Sequence, residues 1–332
     1  MIGAWKDAFF NVFLQNGLCR STTFTIILKE GIMKNNQFAS STSFVPCPIC
    51  GYSDTHSEAK RAAQLRLTPP LSVMFCTRCS HWFLHPLPAA GVLEKYYASS
   101  PGYDPELFRL KYSRILIPQY KHLLHSLGNL VQKQQPKLLD FGCGDGALLQ
   151  YAQSQGWQAT GYEPTERLAA AARERGILSV HSHPDLATIP IPAGSIDIIY
   201  CAHVLEHLPN PRSVMEWFSK WLRPGGILSI QVPNQFRNVL WPFLYRRWMK
   251  RDVRLGYNLH HLQFYTTASL RRLVESFGFK PLEISTRFEL RNRRALVTGR
   301  HFPVRTAKLI IYWCAGYIGR GPNIEVFACR QS

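Results

Sequence analysis

The 332-residue chain is short of acidic side chains: 21 Asp and Glu stand against 39 Lys and Arg, a formal net charge of +18. The shortage is concentrated at one end. Residues 237–332 hold 18 basic residues against 5 acidic ones. A face of that sign disfavours a basic partner and suits an anionic one, whether nucleic acid, phospholipid headgroup or phosphate-bearing substrate, unless it is simply solvated. Long apolar runs are also missing. The longest, "LIIYWCAGYIG" at 309–319, is far short of the roughly 20 residues that span a bilayer. The N-terminal "MIGAWKDAFFNVFLQNG" is interrupted by Lys6, Asp7 and Asn11 and makes a poor signal sequence. Residues 1–32 are expected to be a flexible tail or an over-long start ahead of Met33, and no function is placed there. Cysteine is present but not as a secreted framework. The count is nine, an odd number, with four in two tight pairs, which points to a reducing, cytoplasmic setting where thiols serve metal binding or packing.

No internal repeat is apparent. A polar segment, Asn35–Ser43, leads into "CPICG" at 47–51, and "CTRCS" at 76–80 closes a small module ending near 88. The pairs Cys47-x2-Cys50 and Cys76-x2-Cys79, 25 residues apart, have the spacing of a four-thiolate structural Zn2+ site. Such a module is folded by its metal rather than by a core of its own. His81 and His85 lie just beyond the second pair and are read as packing or substrate-facing groups. Residues 92–130 read as helical, with Tyr120, Leu123, Leu124 and Leu127 forming a stripe at helical spacing. From Pro136 onward strand and helix patterns alternate: "KLLDF", helix 145–155, "WQATGYE", helix 165–175, "ILSV", "SIDIIYC", helix 211–222, "ILSIQVP", helix 267–277, "KPLEIST" and "NIEVFACR". Alternation of this kind means an α/β, Rossmann-like sheet with helices on both faces. The boundaries expected are a tail over 1–43, a metal ribbon over 44–88, a helical linker or cap over 89–130, and an α/β domain over 131–332. Basic, aromatic insertions fall at 234–262 and 291–321.

"LLDFGCGDGALL" at 138–149 places Gly142, Gly144 and Gly146 between a strand and a helix. A turn of this composition lets backbone approach a ligand closely and aims free helix N–H groups at it. Gly142-x-Gly144-x-x-Ala147, with Glu163 about 20 residues on, also satisfies a dinucleotide fingerprint. Asp140 weighs against that reading, because a carboxylate beside the turn repels a pyrophosphate and suits a cation. "AHVLEHL" at 202–208 and "LRPGGILSI" at 222–230 tilt the balance further.

With "LLDFGCGDG", "GYEPT", "SIDIIYCAHVLEHLPNP", "LRPGGILSIQVPN" and "HHLQFYTTASLRRLVESFGF" in this order, the region from about 136 to 290 resembles class I S-adenosylmethionine-dependent methyltransferases. The subgroup it resembles includes the ubiquinone-pathway O-methyltransferases. The zinc ribbon ahead of a catalytic domain resembles the layout of methyltransferases acting on nucleotide-linked sugars and of some acting on ribosomal RNA. The resemblance implies a seven-stranded sheet whose last strand, "NIEVFACR", runs antiparallel, with the donor at the carboxyl ends of the strands. By position, Asp140, Gly142, Cys143, Gly144 and Gly146 would hold the methionine part of S-adenosylmethionine. Glu163 would take the ribose diol, Asp185 would meet the adenine amino group, and Cys201 and His203 would flank the sulfonium.

Methyl transfer to a hydroxyl requires alignment, exclusion of water and removal of a proton. Two histidine groups are candidates for the base. His203, Glu206 and His207 share one face where a helix begins, or else only brace the pocket wall. His260 and His261 precede "QFYT", and the resemblance puts this segment over the acceptor; their structural reading is a cap on the following helix. The ubiquinone-pathway enzymes carry a glutamate where this chain has His203, and imidazole suits softer metals than magnesium. The residues alone do not choose between His203, His207 and His261.

Finally, "NVLWPFLYRRWMKRDVRLGYN" and "RNRRALVTGRHFPVRTAKLIIYWCAGYIGRG" interleave aromatic and basic residues. That pattern suits a membrane interface, RNA, or an inward-packed lid. The expectation is a cytoplasmic methyltransferase of a small or lipid- or nucleotide-linked acceptor, a glycan precursor or quinone-like molecule, with peripheral contact to the inner membrane face. The competing readings are an RNA methyltransferase that grips phosphates with ribbon and basic patch, and a non-catalytic binding protein with a relic donor fold.

Overall fold

A computed structural model of the chain describes residues 45–65, 67, 70–88, 91, 93, 100, 103–237, 260–286, 310–311 and 313–332. Most of the two basic, aromatic stretches, and the expected N-terminal tail, lie outside these residues. Two sheets organise the rest. The smaller is antiparallel: β1 (Thr55–Ser57), β2 (Ser72–Cys76) and β3 (Trp82–His85), with α1 (Ala59–Leu65) between the first two. The larger has seven strands. It is entered from the long helix α2 (Pro105–Val131) and continues through β4 (Lys137–Phe141), α3 (Ala147–Ser154), β5 (Gln158–Tyr162), α4 (Glu166–Glu174) and β6 (Val180–His181). After these come β7 (Ile196–Ala202), α5 (Pro211–Trp221), β8 (Leu222–Pro233), β9 (Gln263–Phe264), α6 (Thr267–Glu275), β10 (Phe279–Ser285) and β11 (Asn323–Arg330).

The seven-stranded order is β10-β11-β8-β7-β4-β5-β6. β4 to β8 run parallel, and β11 is antiparallel to both β10 and β8. The antiparallel last strand is the one expected. β8 begins earlier than "ILSIQVP" suggests: Leu222 already pairs with Ile196, and pairing resumes at Ile198 and Ile227 beyond the Pro-Gly-Gly bend.

Strands covered on both faces read as continuous apolar runs because successive side chains enter opposite layers. Leu139, Ile199, Leu228 and Ile230 face α5 and α6, meeting Phe218, Trp221, Leu270 and Leu273. Their neighbours Leu138, Ile198 and Ile227 face the other way, onto Leu148, Leu149, Ala169 and Ala172. Leu123, Leu124 and Leu127 of α2 pack into this second layer, so the stripe covers the large sheet itself.

At the amino edge of the sheet one buried carboxylate joins three elements. Asp197 accepts from Lys133 Nζ at 2.7 Å, Lys137 N–H at 2.8 Å and Arg223 Nε at 2.7 Å. These contacts hold the carboxyl below its usual range despite burial, which acts in the opposite direction.

The small sheet is not separate from the large one. β9, immediately ahead of α6, adds to β3 with Trp82 opposite Phe264 and Phe83 opposite Gln263. Buried His81 lies 2.9 Å from Gln263 Oε1 through Nε2 and 3.3 Å from Ser269 Oγ through Nδ1. Arg212 of α5 donates to the Ile49 carbonyl at 3.0 Å. Cys47, Ile49, Cys76 and Cys79 belong to the same apolar cluster as Tyr265 and Leu270. His81 is therefore a packing residue. Among the described residues, no helix is long and apolar enough to cross a membrane.

Removing the Asp197 carboxylate orphans a backbone N–H and two cations, and hydrogen bonds to charged groups are worth about 1.5–3 kcal/mol. Asp197→Ala is expected to lose about that much unfolding free energy by urea titration. His81 carries a pH signature. Burial lowers its pKa to about 4, with the Gln263 hydrogen bond acting weakly the other way. Between about pH 6.5 and 4 the unfolded chain takes up a proton there and the folded chain does not. Its stabilisation is thus complete above about 6.5 and is lost as pH falls through that window. The urea midpoint should be lower at pH 4.5 than at 7.5, and His81→Gln should show a shallower slope between them.

Candidate active site

The carboxyl ends of the parallel strands form one edge, where ligands bind in sheets of this kind. The turn after β4 begins there. Gly142 has φ +88°, and a Cβ at that position would come within 2.2 Å of Val204 Cγ2 in the segment after β7. Gly146, at φ +75°, starts α3, and a Cβ there would meet Ala172 Cβ at 2.9 Å. At these two positions the turn is therefore pressed against its neighbours and has no room for a side chain. Asp145 pairs with Arg175, which turns that carboxylate away from the edge as a structural contact.

Glu163, the first residue beyond β5, closes the cradle. Its Oε2 accepts from Gly144 N–H at 3.0 Å and its Oε1 from Thr165 N–H at 2.9 Å. The carboxylate is thus oriented by backbone, with lone pairs left over on both oxygens. Asp140 is buried at the end of β4, and burial together with the Glu163 charge pushes its carboxyl up to about 8. Glu163 is also pushed up by burial, although the Thr165 and Gly144 hydrogen bonds oppose this. A buried carboxyl raised by a second buried carboxylate beside it makes a site that favours a cation.

Three residues expected to line this site have their side chains elsewhere. Cys201 is inside β7 rather than past it, wholly buried in the core cluster with Leu205, so its sulfur offers no surface to a ligand. Cys143 packs its side chain into the opposite layer, and only its backbone belongs to the turn. Asp185 follows β6 at the surface, where its carboxylate caps the 186–188 turn by accepting from Ala187 N–H at 2.9 Å.

The second part of the edge is a ring of histidines around Glu206. His203 follows β7 in a left-handed conformation at φ +56° and lies 3.4 Å, Nδ1 to Oε1, from Glu206. His207 Nε2 is 3.8 Å from the same oxygen. Glu206 is only 1% exposed, and neither of its oxygens has a hydrogen bond of ordinary length among the described residues. Burial opposes ionisation, yet His203 and the neighbouring imidazoles of His207 and His261 bring the carboxyl down to about 2. His203 moves reciprocally: burial would lower it, but Glu206 raises it above the ordinary value.

His260 and His261 lie beside His207 in tilted and edge-on contacts, with ring centroids 4.8, 4.9 and 5.1 Å apart. Burial keeps both neutral, helped by neighbouring imidazoles and opposed by Glu206, at about 2 for His260 and about 4 for His261. Neither caps α6, where Thr266 and Ser269 form a capping box. Gln235 was not singled out from the sequence, yet its Oε1 lies 3.0 Å from His261 Nδ1. Its position two residues beyond β8, on the ligand-binding edge, is the signal that marks it.

The four thiols also converge. Cys47 Sγ lies 3.6 Å from Cys79 Sγ and Cys50 Sγ 3.6 Å from Cys76 Sγ, with all four within 4.8 Å of one another. Zn–S bonds of about 2.3 Å place tetrahedral sulfurs about 3.8 Å apart, so the donor set fits such an ion.

Residues 112–284 match the family model described as "Methyltransferase domain". Three ubiquinone biosynthesis O-methyltransferases are similar to the chain. That of Pectobacterium atrosepticum is 27% identical over 57% of this chain and 72% of its own length. That of Psychrobacter arcticus is 28% identical over 45% and 60%, and that of Erwinia tasmaniensis 35% identical over 30% and 43%. The chain therefore spans less than two thirds of the length of the latter two. A solved SAM-dependent methyltransferase from Archaeoglobus fulgidus aligns with 68% of the chain and 99% of its own, at 17% identity and a TM-score of 0.47. The family match covers more than half of the residues, and this chain belongs to the methyltransferase-domain family, as a class I S-adenosylmethionine-dependent methyltransferase.

Proposed function

We propose that the chain methylates a hydroxyl group of a small acceptor, lipid- or nucleotide-linked, with the donor at the β4–β5 edge and the acceptor against the histidine ring. The observation that carries this reading is the buried carboxylate pair, Asp140 and Glu163, beside a turn with no side-chain bulk. A donor with an ammonium and a sulfonium supplies the missing positive charge, whereas a pyrophosphate adds to the repulsion. When bound, S-adenosylmethionine supplies an electrophilic methyl carbon on a cationic sulfur. Glu163 holds the ribose hydroxyls with its remaining lone pairs, and Asp140 faces the cationic end.

On the acceptor side, His203 takes the hydroxyl proton on its ring. Glu206 positions that ring and stabilises the imidazolium, which its effect on the His203 pKa supports. An imidazole is the side chain best suited to take up and pass on a proton in this way. The relatives named as O-methyltransferases support a hydroxyl acceptor. Nothing among the described residues favours the RNA or the non-catalytic reading. The four cysteines hold Zn2+ in a structural role, which braces β3 and through it β9.

Calorimetry tests the donor assignment. Glu163→Ala should weaken S-adenosylmethionine binding by about tenfold or more, the value of one charged hydrogen bond, with the domain still folded by circular dichroism. Glu163→Gln, which keeps the size, should lose less; unchanged affinity in both would place the ribose elsewhere. The metal assignment is separate. Replacing Cys47 and Cys50 with Ser should remove one zinc per chain by elemental analysis and unfold the 44–88 module, whereas freshly purified wild type without zinc contradicts it.

A further inference from the structure

The ring nitrogens of His207, His260 and His261 converge. One nitrogen from each lies within 4.8 Å of the others. These side chains come from two segments more than 50 residues apart, brought together because Leu262 N–H donates to the Glu206 carbonyl at 2.7 Å. His207 and His261 are also oriented from behind. The Nδ1–H of His207 donates to the His260 carbonyl at 3.0 Å. The Nδ1–H of His261 donates to Gln235 Oε1 at 3.0 Å. In both rings this leaves the lone pair on Nε2, the arrangement by which outer partners fix the tautomer of a metal-binding histidine.

A second feature points to the same place. Glu206 is almost fully buried with both oxygens lacking a hydrogen bond, and its Oε1 stands 3.8 Å from His207 Nε2. A carboxylate left in that state needs a positive charge close by. Three converging imidazoles, two of them held in the ligand tautomer, with a buried carboxylate beside them form a donor set for an ion of intermediate softness, not for magnesium.

We propose that His207, His260 and His261 form a second metal site, which takes a divalent transition ion such as Zn2+ or Co2+ with Glu206 balancing its charge. His207 and His261 are partly exposed, which leaves an entry path and at least one coordination position open. With the ion bound, that position would take water or an oxygen of the acceptor. This last role rests on the methyl-transfer reading; binding of the ion does not. The site is distinct from the four-cysteine cluster in both ligands and position.

The full chain, stripped of metal and titrated with Co2+, tests the site. The first equivalent should raise the near-ultraviolet thiolate band of a cysteine site. The second should give weak visible bands with no further rise in the thiolate band. Elemental analysis after dialysis against Zn2+ should find two ions per chain. His207→Ala and the milder His261→Gln should each lose one ion, keep the thiolate spectrum and melt cooperatively. Saturation at a single equivalent in wild type, or two ions retained in both histidine variants, overturns the proposal. Calorimetry with S-adenosylmethionine on the same proteins reads the donor site independently, so loss of one reading does not disguise loss of the other.

Discussion

Glu163 is the contact on which the ligand-binding edge depends. Its carboxylate ties the β4 turn to the start of α4 through Gly144 and Thr165, so donor site and backbone turn are one hydrogen-bonded unit. Placing this group beside buried Asp140 is costly, because burial and the Glu163 charge both disfavour ionisation of Asp140 in a region water cannot screen. On the proposed reading, this cost sets the specificity. Only a ligand that brings positive charge into the turn relieves it, and a side chain on Gly142 would close the space against Val204.

The same device recurs on the acceptor side. Glu206 is a further buried carboxylate at the edge, and here the protein supplies a positive partner itself, in His203. The edge is thereby divided into a half that presents two buried carboxylates and a half that presents imidazole nitrogens. A physical chain connects the second half to the cysteine cluster. The thiol knuckles position β3, β3 pairs with β9, and the residues just ahead of β9 include His260 and His261. The N-terminal module thus has a part in shaping the acceptor wall, with His81 as the buried pin between them.

Much of this was readable from sequence because it is encoded locally. The apolar run Lys137–Phe141 followed by alternate glycines specifies strand, turn and helix within a dozen residues, and the two Cys-x2-Cys pairs carry their geometry in their spacing. What could not be read depends on contacts distant in sequence. A two-residue strand such as Gln263–Phe264 has no periodicity of its own and exists because β3 lies alongside it. The burial of Cys201 depends on where β7 ends, and a shift of one residue exchanges core for surface. Asp197 looks like any acidic residue at the start of a strand until Lys133, Lys137 and Arg223 meet it.

The claim that a pair of buried carboxylates selects a cationic nucleoside is tested most directly by titrating the wild-type chain with S-adenosylmethionine and, separately, with NADH. The titrations are run at pH 7.5 in two buffers of different ionisation enthalpy. Asp140 sits at about 8 in the free protein, so a bound cation should drive off its proton. The account predicts one S-adenosylmethionine per chain with net proton release to the buffer, and no heat from NADH. Binding of NADH, or silence with millimolar S-adenosylmethionine, would contradict it.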